Sequence, residues 1–237
     1  MAKSILHTTE SRGTSNWGWL HSRHSFSFGD YYDPNRTNFG ALRVINDDFI
    51  APGKGFGNHP HNNMEIISIP LEGELVHTDS MNNSMTMKPG DIQVMSAGTG
   101  VFHSEYNKLK DQSLKFLQIW IIPKVKNVTP RYDIQKYSLK VNELTEILSP
   151  NLDSEKVWIN QNAWFNIAKL EANCNIKYKL HDAEKNGVYI FVIKGSLLIN
   201  DQELKARDGF GIWEITELEL IAINNTEVLL MEVPMNI

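Results

Sequence analysis

The chain has 237 residues, of which 41% are hydrophobic and 22% are charged, and its formal net charge is −5. This length allows one large or two medium domains, and the acidic balance argues against a dedicated nucleic-acid-binding protein, which normally carries a basic patch. The single cysteine, Cys174, excludes an intrachain disulfide and argues against the cysteine-rich metal sites of zinc fingers and iron–sulfur proteins.

The N-terminal stretch lacks the apolar core of a secretory signal. No run in the chain approaches the ~18 apolar residues of a membrane span. The sequence therefore predicts a protein of a reducing compartment, most simply the cytoplasm, with no membrane contact.

The first half of the chain is predicted to form short β-strands. The turn at Glu72-Gly73 divides one apolar run in two, and Pro89-Gly90 is typical of a type II turn, because proline presets φ and glycine accepts a positive φ. Short strands separated by turn signals indicate a β-sandwich or barrel. The strand-like segments are 40–52, 64–80, 84–98 and 114–123.

Prolines and charges interrupt this pattern between residues 123 and 150. Within this stretch, residues 138–148 place their apolar side chains at roughly helical spacing, which predicts a linker that contains a short helix. The residues at that spacing are Leu139, Leu144, Ile147 and Leu148.

Strand-like sequence resumes after the linker and resembles the first half. Each half has a strand, a glycine, a second strand, a turn with glycine and aspartate, and a third strand. Gly73 aligns with Gly195, and Gly90 aligns with Gly209. An internal repeat of this kind favours two similar β-barrels in tandem.

Two pairs of residues in the first half have the spacing that places both side chains on one face of a strand. His59 and His61 lie two residues apart, as do His103 and Glu105. Both pairs adjoin glycine-rich turns. If the two segments are neighbouring strands, three imidazoles and one carboxylate converge, which is a coordination shell for a divalent transition metal.

Glu65 is the competing carboxylate. It shares strand parity with His61, but four residues of regular strand span about 13 Å, so a bulge would be needed to bring Glu65 to the metal. Glu105 needs no such distortion relative to His103, and it is favoured. Glu65 is then expected to orient an imidazole N–H.

These motifs, taken together, resemble those of the pirin family of bicupins. The segments are "GFGNHPHNNMEI", "LEG", "PGD", "MSAGTGVFHSE" and "LQIWI", with "RHSFSFGDYYDP" (23–34) and "VTPRY" (128–132) outside them. The resemblance covers nearly the whole chain, and bacterial pirin-like proteins with quercetin 2,3-dioxygenase activity are especially similar.

The resemblance implies an all-β bicupin with two tandem jelly-roll-like barrels. We expect a first cupin domain with the metal site at 1–130, a linker with a short helix at 131–150, and a second cupin domain without a metal at 151–237. It also implies metal ligation by His59, His61, His103 and Glu105. Iron is the usual metal of such sites, and zinc, copper, manganese, nickel or cobalt can replace it.

The reaction implied by the resemblance is cleavage of a flavonol ring by dioxygen, with Glu105 accepting the proton of the substrate hydroxyl. The partners are then a small aromatic molecule and dioxygen, with no direct nucleic-acid contact and a monomeric state. The alternative is a regulatory protein whose metal redox state controls docking to a protein partner. Both functions use the same ligands.

The remaining histidines are expected to be structural. His24 is expected to be hydrogen-bonded near the site, His77 could face the barrel interior, and His7 is expected to be exposed. In the alignment of the two halves, the histidine and glutamate positions fall on residues that cannot form a metal site. They are His181, Ala183, and the region of Ala222 and Asn224.

Overall fold

The computed structural model describes residues 2–152 and 156–236. In these ranges the chain forms strands, one 3-10 turn (Thr9–Ser11) and no helix long and apolar enough to cross a membrane. The strands of the first half are β1 (Lys3–His7), β2 (Gly13–Asn16), β3 (Leu20–His24), β4 (Leu42–Ile50), β5 (Gly55–His61), β6 (Glu65–Glu72), β7 (Leu75–Asp79), β8 (Ser84–Met87), β9 (Asp91–Ser96), β10 (Val101–Asn107), β11 (Leu114–Ile121) and β12 (Arg131–Lys136).

The second half continues the all-β pattern. Its strands are β13 (Leu144–Ser149), β14 (Val157–Trp158), β15 (Trp164–Leu170), β16 (Asn175–Lys179), β17 (Asn186–Lys194), β18 (Ser196–Ile199), β19 (Gln202–Lys205), β20 (Gly209–Trp213), β21 (Glu217–Ala222) and β22 (Thr226–Pro234).

The strands form the same architecture twice. A seven-stranded sheet in the order β12-β9-β6-β11-β4-β3-β2 and a four-stranded sheet in the order β5-β10-β7-β8 make the first barrel. The second barrel combines β1-β20-β17-β22-β15-β13-β14 with β16-β21-β18-β19. This arrangement confirms the predicted all-β fold of two tandem barrels.

The predicted helix in the linker is wrong. Leu144–Ser149 is strand β13, which pairs antiparallel with β15 and parallel with β14. A register shift between Glu146 and Leu148 interrupts the alternation, and Ile147 and Leu148 are both buried. Two adjacent buried residues imitate helical spacing in the sequence, whereas the pairing partners that stabilise the strand lie far along the chain.

Two strands near the ends of the first domain pair across its predicted bounds. β1 pairs with β20 of the second barrel, with Ile5 opposite Gly211, although it begins the chain. β12, which lies in the predicted linker, pairs with β9 of the first barrel, with Asp133 opposite Val94. The predicted linker therefore supplies β12 to the first barrel and β13, which pairs with β15, to the second.

The large sheets of the two barrels pack against each other through one apolar cluster. On β6, Ile67 and Ile69 lie in this inter-barrel core, while Ile66 and Ser68 point the other way, into the first barrel. Residues of β15, β17 and β22, such as Phe165 and Phe191, supply the opposite side. Strand alternation thus separates a face that joins the barrels from a face that can hold a site.

The turns also show the repeat. Gly73 and Gly195 have nearly equal φ angles, 82° and 81°, as the alignment of the two halves predicts. The second alignment, of Gly90 with Gly209, is two residues off. The amide of Lys88 donates to Asp91, and the amide of Lys205 donates to Asp208, both at 2.9 Å, so the residue equivalent to Gly90 (φ 97°) is Arg207 (φ 70°).

Candidate metal centre

Three imidazoles meet on the inner face of the small sheet of the first barrel. β10 lies beside β5, with His103 opposite His59 and Val101 opposite His61. The ring centroids are 4.4 Å apart for His59 and His103, 4.9 Å for His61 and His103, and 4.8 Å for His59 and His61. One nitrogen from each ring lies within 4.8 Å of the others, so the three rings can share one ion.

A bulge in β5 sets the position of His59. His103 pairs with His59, but Glu105 pairs with Phe56, so β5 carries one extra residue between these pairs. The backbones approach closely here, because a Cβ added at Gly55 would lie 2.2 Å from the carbonyl oxygen of Glu105. The glycine beside the histidine motif is therefore required by the packing of β5 on β10.

Hydrogen bonds leave the ligating nitrogens free. Nδ1 of His59 lies 2.7 Å from the carbonyl oxygen of Gly57, which can only accept, so Nδ1 carries the proton and Nε2 has a free lone pair. Nε2 of His103 is buried and has no hydrogen-bond partner among the described residues. A free, buried imidazole nitrogen beside two others fits a transition-metal site.

Burial keeps two of the imidazoles, His61 and His103, neutral. Desolvation, followed by the neighbouring His59, lowers the pKa of His61 to about 4. The pKa of His103 is lowered further, first by burial and then by the other histidines. Metal ions bind neutral imidazole, so the site does not have to lose protons near pH 7.

Glu105 lies two residues beyond His103, fully buried beneath the imidazoles. Ser68 Oγ donates to its Oε1 at 2.9 Å, and Gln118 Nε2 donates to its Oε2 at 2.6 Å. One of its oxygens lies within 4.8 Å of one nitrogen of His77 and one of His103, and the group defined in this way does not include His59 or His61. Burial raises the pKa of Glu105 to about 7, opposed by these two hydrogen bonds.

Glu65 lies on the other face of the large sheet. It precedes Ile66 on β6 and shares its face with the residues that join the barrels. Its Oε2 accepts from Ser96 Oγ at 2.7 Å and from the amide of Asn160 in the second barrel at 3.1 Å. Glu65 therefore connects the two barrels rather than orienting an imidazole.

A cavity of about 430 Å³ opens beside His59 and His61. Its walls are mainly aromatic, and the rings contact one another: Trp19 lies 5.5 Å from Phe56, and the indole of Trp120 lies 4.9 Å from His61. Such a volume with flat apolar walls suits a planar ligand. The aromatic lining residues are Trp17, Trp19, Phe28, Phe56 and Trp120.

Polar side chains line the part of the cavity formed by β3, β4 and β11. His24 lines this part as a hydrogen-bonded histidine, with Nδ1 2.7 Å from Oδ1 of Asn46 and Nε2 2.9 Å from Oγ of Ser15. Asp48 is buried, and burial raises its pKa to about 7. Its Oδ1 is buried and has no hydrogen-bond partner among the described residues, which costs free energy in the absence of a ligand.

Two further residues belong to this region, and the sequence analysis missed their role. His77 and Asp79 lie on β7, opposite Glu105 and His103 of β10. Both are buried, and Nε2 of His77 lies 3.1 Å from Oδ2 of Asp79. "HTD" has the same two-residue spacing as the two recognised pairs, and this spacing was the available signal.

The strand register shows what replaces the site in the second barrel. Leu75 pairs with Asn107, and Leu197 pairs with Ala222, so the two small sheets can be compared residue by residue. The positions of the first-barrel site hold buried residues of an apolar cluster. They are Tyr178 for His59, Leu180 for His61, Leu218 for His103, Leu220 for Glu105 and Ile199 for His77.

These equivalences correct the alignment of the two halves. His181, which was aligned with His59, lies three residues past Tyr178, where its ring stacks on Trp164 at 4.4 Å. A fully buried carboxylate of the second barrel, Glu232, accepts hydrogen bonds from Tyr178 Oη and from the amides of His181 and Asp182. His7, expected to be exposed, is buried, with Nδ1 2.9 Å from the hydroxyl of Tyr189.

Two cupin barrels in tandem, with a histidine cluster in the first and an apolar interior in the second, define a bicupin. Comparison with known proteins gives the family. Residues 6–121 match the family model described as pirin, and residues 146–233 match the quercetinase C-terminal cupin domain. The chain belongs to the pirin family.

Similar proteins extend over nearly the full length. The chain is 40% identical over 230 residues to quercetin 2,3-dioxygenase of Escherichia coli K12, covering 97% of this chain and 98% of that protein. It is 38% identical over 225 residues to a pirin-like protein of Caulobacter vibrioides, covering 93% and 95%. The crystal structure of the bacterial pirin YhhW in complex with nickel(II), from Escherichia coli, superposes with a TM-score of 0.93 at 38% identity, covering 98% and 99%.

Proposed function

We propose that this protein is a metal-dependent dioxygenase that cleaves a flavonol-type aromatic substrate with dioxygen. The observation that carries the proposal is the meeting of three imidazoles at a cavity of about 430 Å³ with aromatic walls. Pockets for drug-sized ligands span roughly 300–1,000 Å³, so a three-ring flavonol fits this class of site. The similarity to an E. coli protein named quercetin 2,3-dioxygenase supports the same substrate class.

We assign the metal to His59, His61, His103 and Glu105. Two of the histidines present a free or unpartnered nitrogen, and the buried carboxylate of Glu105 lies beside His103. Imidazole and carboxylate donors suit several divalent ions, so iron is proposed, with nickel, copper, cobalt, manganese and zinc as the alternatives. The nickel(II) complex of the similar E. coli pirin favours including nickel in the first tests.

When bound, the metal would act as a Lewis acid that stabilises the substrate hydroxyl as an oxyanion. The protein supplies the rest. The aromatic walls hold the rings, and Glu105 accepts the hydroxyl proton, since Ser68 and Gln118 donate to its two oxygens and keep it an acceptor. In the overall reaction both oxygen atoms of dioxygen enter the products, the central ring opens, and one ring carbon leaves as carbon monoxide.

The proposal also includes the partners, oligomeric state and location of the protein. Its partners are a small aromatic molecule and dioxygen, and the monomeric state and cytoplasmic location remain predictions. The second barrel supplies no ligand in this proposal. It supports the first barrel through the inter-barrel core and through the hydrogen bond from Asn160 to Glu65.

The test is turnover by the metal-loaded protein. Purified protein is stripped with a chelator, loaded separately with iron(II) and nickel(II), and mixed with quercetin under air while flavonol absorbance and carbon monoxide are measured. We expect loss of absorbance with equimolar carbon monoxide in the wild type and neither in His59→Ala. The exposed His181 gives the matched control, because His181→Ala should retain turnover.

Absence of turnover with iron, nickel, copper, cobalt, manganese and zinc, each loaded separately, would reject the enzymatic proposal. If the protein then bound metal but captured a protein partner in only one redox state, the regulatory alternative would replace it. Metal binding that is unchanged in His59→Ala would reject the site itself.

A further inference from the structure

A buried pair of ionisable residues lies on the far side of β10 from His59 and His61. β10 is flanked by β5 on one side and β7 on the other. On β7, Asp79 is opposite His103, and His77 is opposite Glu105. His77, Asp79, His103 and Glu105 are all buried, so this pair continues the site into the protein interior.

The contacts form a continuous chain from His103 to a carboxylate. Nδ1 of His103 lies 3.5 Å from Nδ1 of His77, and Nε2 of His77 lies 3.1 Å from Oδ2 of Asp79. The ring of His77 is also fixed in its plane, because it stacks on Tyr132 with centroids 4.7 Å apart and an interplanar angle of 23°. Both nitrogens of His77 therefore have a hydrogen-bond partner.

Asp79 determines the direction of both hydrogen bonds in the series from Asp79 through His77 to His103. Its Oδ1 accepts from the amides of Met81 at 2.8 Å and Asn83 at 3.1 Å, and amides can only donate. Its Oδ2 also accepts from Nδ2 of Asn83 at 2.9 Å, so N–H donors point at both carboxylate oxygens and leave no place for a carboxyl proton. An ionised Asp79 can only accept, so Nε2 of His77 carries the proton of the neutral ring.

The protonation of His77 then decides that of His103. With its proton on Nε2, neutral His77 offers Nδ1 as an acceptor, so Nδ1 of His103 must be the donor. The proton of neutral His103 is then on Nδ1, and its lone pair is on Nε2, the buried nitrogen without a hydrogen-bond partner among the described residues. The opposite tautomer would place an N–H where the metal is expected.

We propose that His77 and Asp79 are positioning residues that fix His103 in the Nδ1–H tautomer and so present its Nε2 lone pair to the metal. The inference rests on the proposed metal site. Carboxylates and carbonyls that accept the second N–H of a metal-binding histidine have this effect in general. Here a second histidine lies between the carboxylate and the ligand. The second barrel has Ile199 at the position of His77 and no such chain among its described residues.

Asp79→Asn is the sharpest variant, because it changes hydrogen-bond direction with little change in shape. The backbone amides of Met81 and Asn83 should retain the side-chain oxygen of the introduced asparagine, which turns its NH₂ group towards His77. The side-chain amide of Asn83, which donates to Oδ2 in the wild type, can rotate so that its oxygen accepts from this NH₂ group. Nε2 of His77 then has to accept, its Nδ1 becomes the donor, and His103 is forced into the Nε2–H tautomer. Thr78→Val is the matched control, since Thr78 lies between the two residues on β7 and its side chain is exposed.

The first measurement uses metal-free protein labelled with ¹⁵N-histidine. Long-range ¹H–¹⁵N NMR spectra distinguish the two imidazole tautomers, with His103 assigned by substitution. We expect Nδ1–H in the wild type and in Thr78→Val, and Nε2–H in Asp79→Asn. The same tautomer of His103 in the wild type and in Asp79→Asn would overturn the proposal, whether or not the protein binds metal.

The second measurement is the affinity for nickel(II) by competition with a chelator. Loss of such outer contacts typically weakens metal binding by about 10–100-fold, which we expect for Asp79→Asn and for His77→Leu. His77→Asn, whose side-chain oxygen can accept from His103, should recover part of the loss. Equal affinity of the wild type and these variants contradicts the proposal, whereas a wild type that binds no metal contradicts the proposed function instead.

Discussion

The central strands of the two small sheets have the same place in the fold and opposite interiors. β10 points His103 and Glu105 into the first barrel, and β21 points Leu218 and Leu220 into the second. The first pair enters a network of imidazoles, carboxylates and amides, and the second lies in an apolar cluster. The comparison shows that the cupin fold provides a set of inward positions, and that a few side chains decide whether a barrel holds a site.

The two interiors also differ in their contribution to stability. Buried polar groups cost free energy unless they are hydrogen-bonded, whereas each buried apolar side chain contributes about 1.5–3 kcal/mol. Among the described residues, the first barrel leaves Nε2 of His103 and Oδ1 of Asp48 without partners at its cavity, whereas the unpartnered atoms of the second barrel, Nε2 of His7 and Nδ2 of Asn166, lie outside its apolar cluster. We infer that the second barrel and the inter-barrel core stabilise a first barrel whose interior is adapted to binding.

The largest effect is expected when the first barrel is given the residue of the second. His103→Leu introduces the side chain found at Leu218 and removes the central ligand. We expect metal content to fall from about one ion per chain to near zero and turnover to be lost, because His103 is the one residue that lies beside both the other imidazoles and Glu105. Elemental analysis measures the first effect, circular dichroism controls for folding, and full metal content in the variant would contradict the assignment.

The next comparison is between two buried glutamates. Glu105 lies inside the first barrel, and Glu65 lies on the face of the large sheet that joins the barrels. Glu105→Gln removes the proton acceptor and places an amide against Gln118, which also donates; we expect at least a ~100-fold loss of kcat. Glu65→Gln should retain metal and turnover while losing about 1–3 kcal/mol of unfolding free energy, since it disturbs the contacts to Ser96 and Asn160. Steady-state kinetics and denaturant unfolding of both variants test this, and an exchange of the two phenotypes would refute it.

A buried histidine of the second barrel, His7, is expected to make the unfolding free energy depend on pH. His7 contacts Tyr189, and burial, with a smaller contribution from Arg36, lowers its pKa to about 4. The unfolded state binds one more proton than the folded state between pH 4 and 6.5, so unfolding free energy falls as pH falls through this range, by up to about 3 kcal/mol. His7→Gln should remove this part of the pH dependence.

Denaturant unfolding at pH 4.5 and pH 7 measures that difference. His181→Gln is the control, because His181 is exposed in the same barrel. If the pH dependence of stability is identical in the wild type and in His7→Gln, then His7 has the same pKa in the folded and unfolded states, and the prediction is wrong.

The smallest effect is expected at the rim of the cavity. Trp17 lines the cavity but is 57% exposed, and its ring lies 6.0 Å from Trp19. Trp17→Ala should raise KM for quercetin about fivefold, or about 1 kcal/mol, with little change in kcat or metal content. A large fall in kcat with unchanged KM would mean that Trp17 takes part in the reaction rather than in binding.

The sequence predicts those features of the molecule that depend on local spacing. Alternation over two residues is enough to place His59 with His61, and His103 with Glu105, on one face of a strand. Gly73 and Gly90 mark turns because the required φ is positive, 82° and 97°. The family resemblance extends this local information to two barrels and four candidate ligands.

Features that depend on pairing between distant strands could not be read in the same way. The register shift in β13 imitates a helix, β1 joins the barrel at the other end of the chain, and Glu65 turns to the opposite face of its sheet. The partnership of His77 with His103 needs the register of β7 on β10, which is absent from any short segment. The local signal in "HTD" shows a shared face, but it does not show what that face meets.

The most direct test of the central claim is an anomalous-difference map from crystals of the protein loaded with nickel(II). We expect one strong peak, about 2.1 Å from ligating nitrogens of His59, His61 and His103, as for other first-row metals bound by histidine. No peak is expected among Tyr178, Leu218 and Leu220 of the second barrel. A map with no peak at the three histidines, or with its strongest peak elsewhere, would contradict the account.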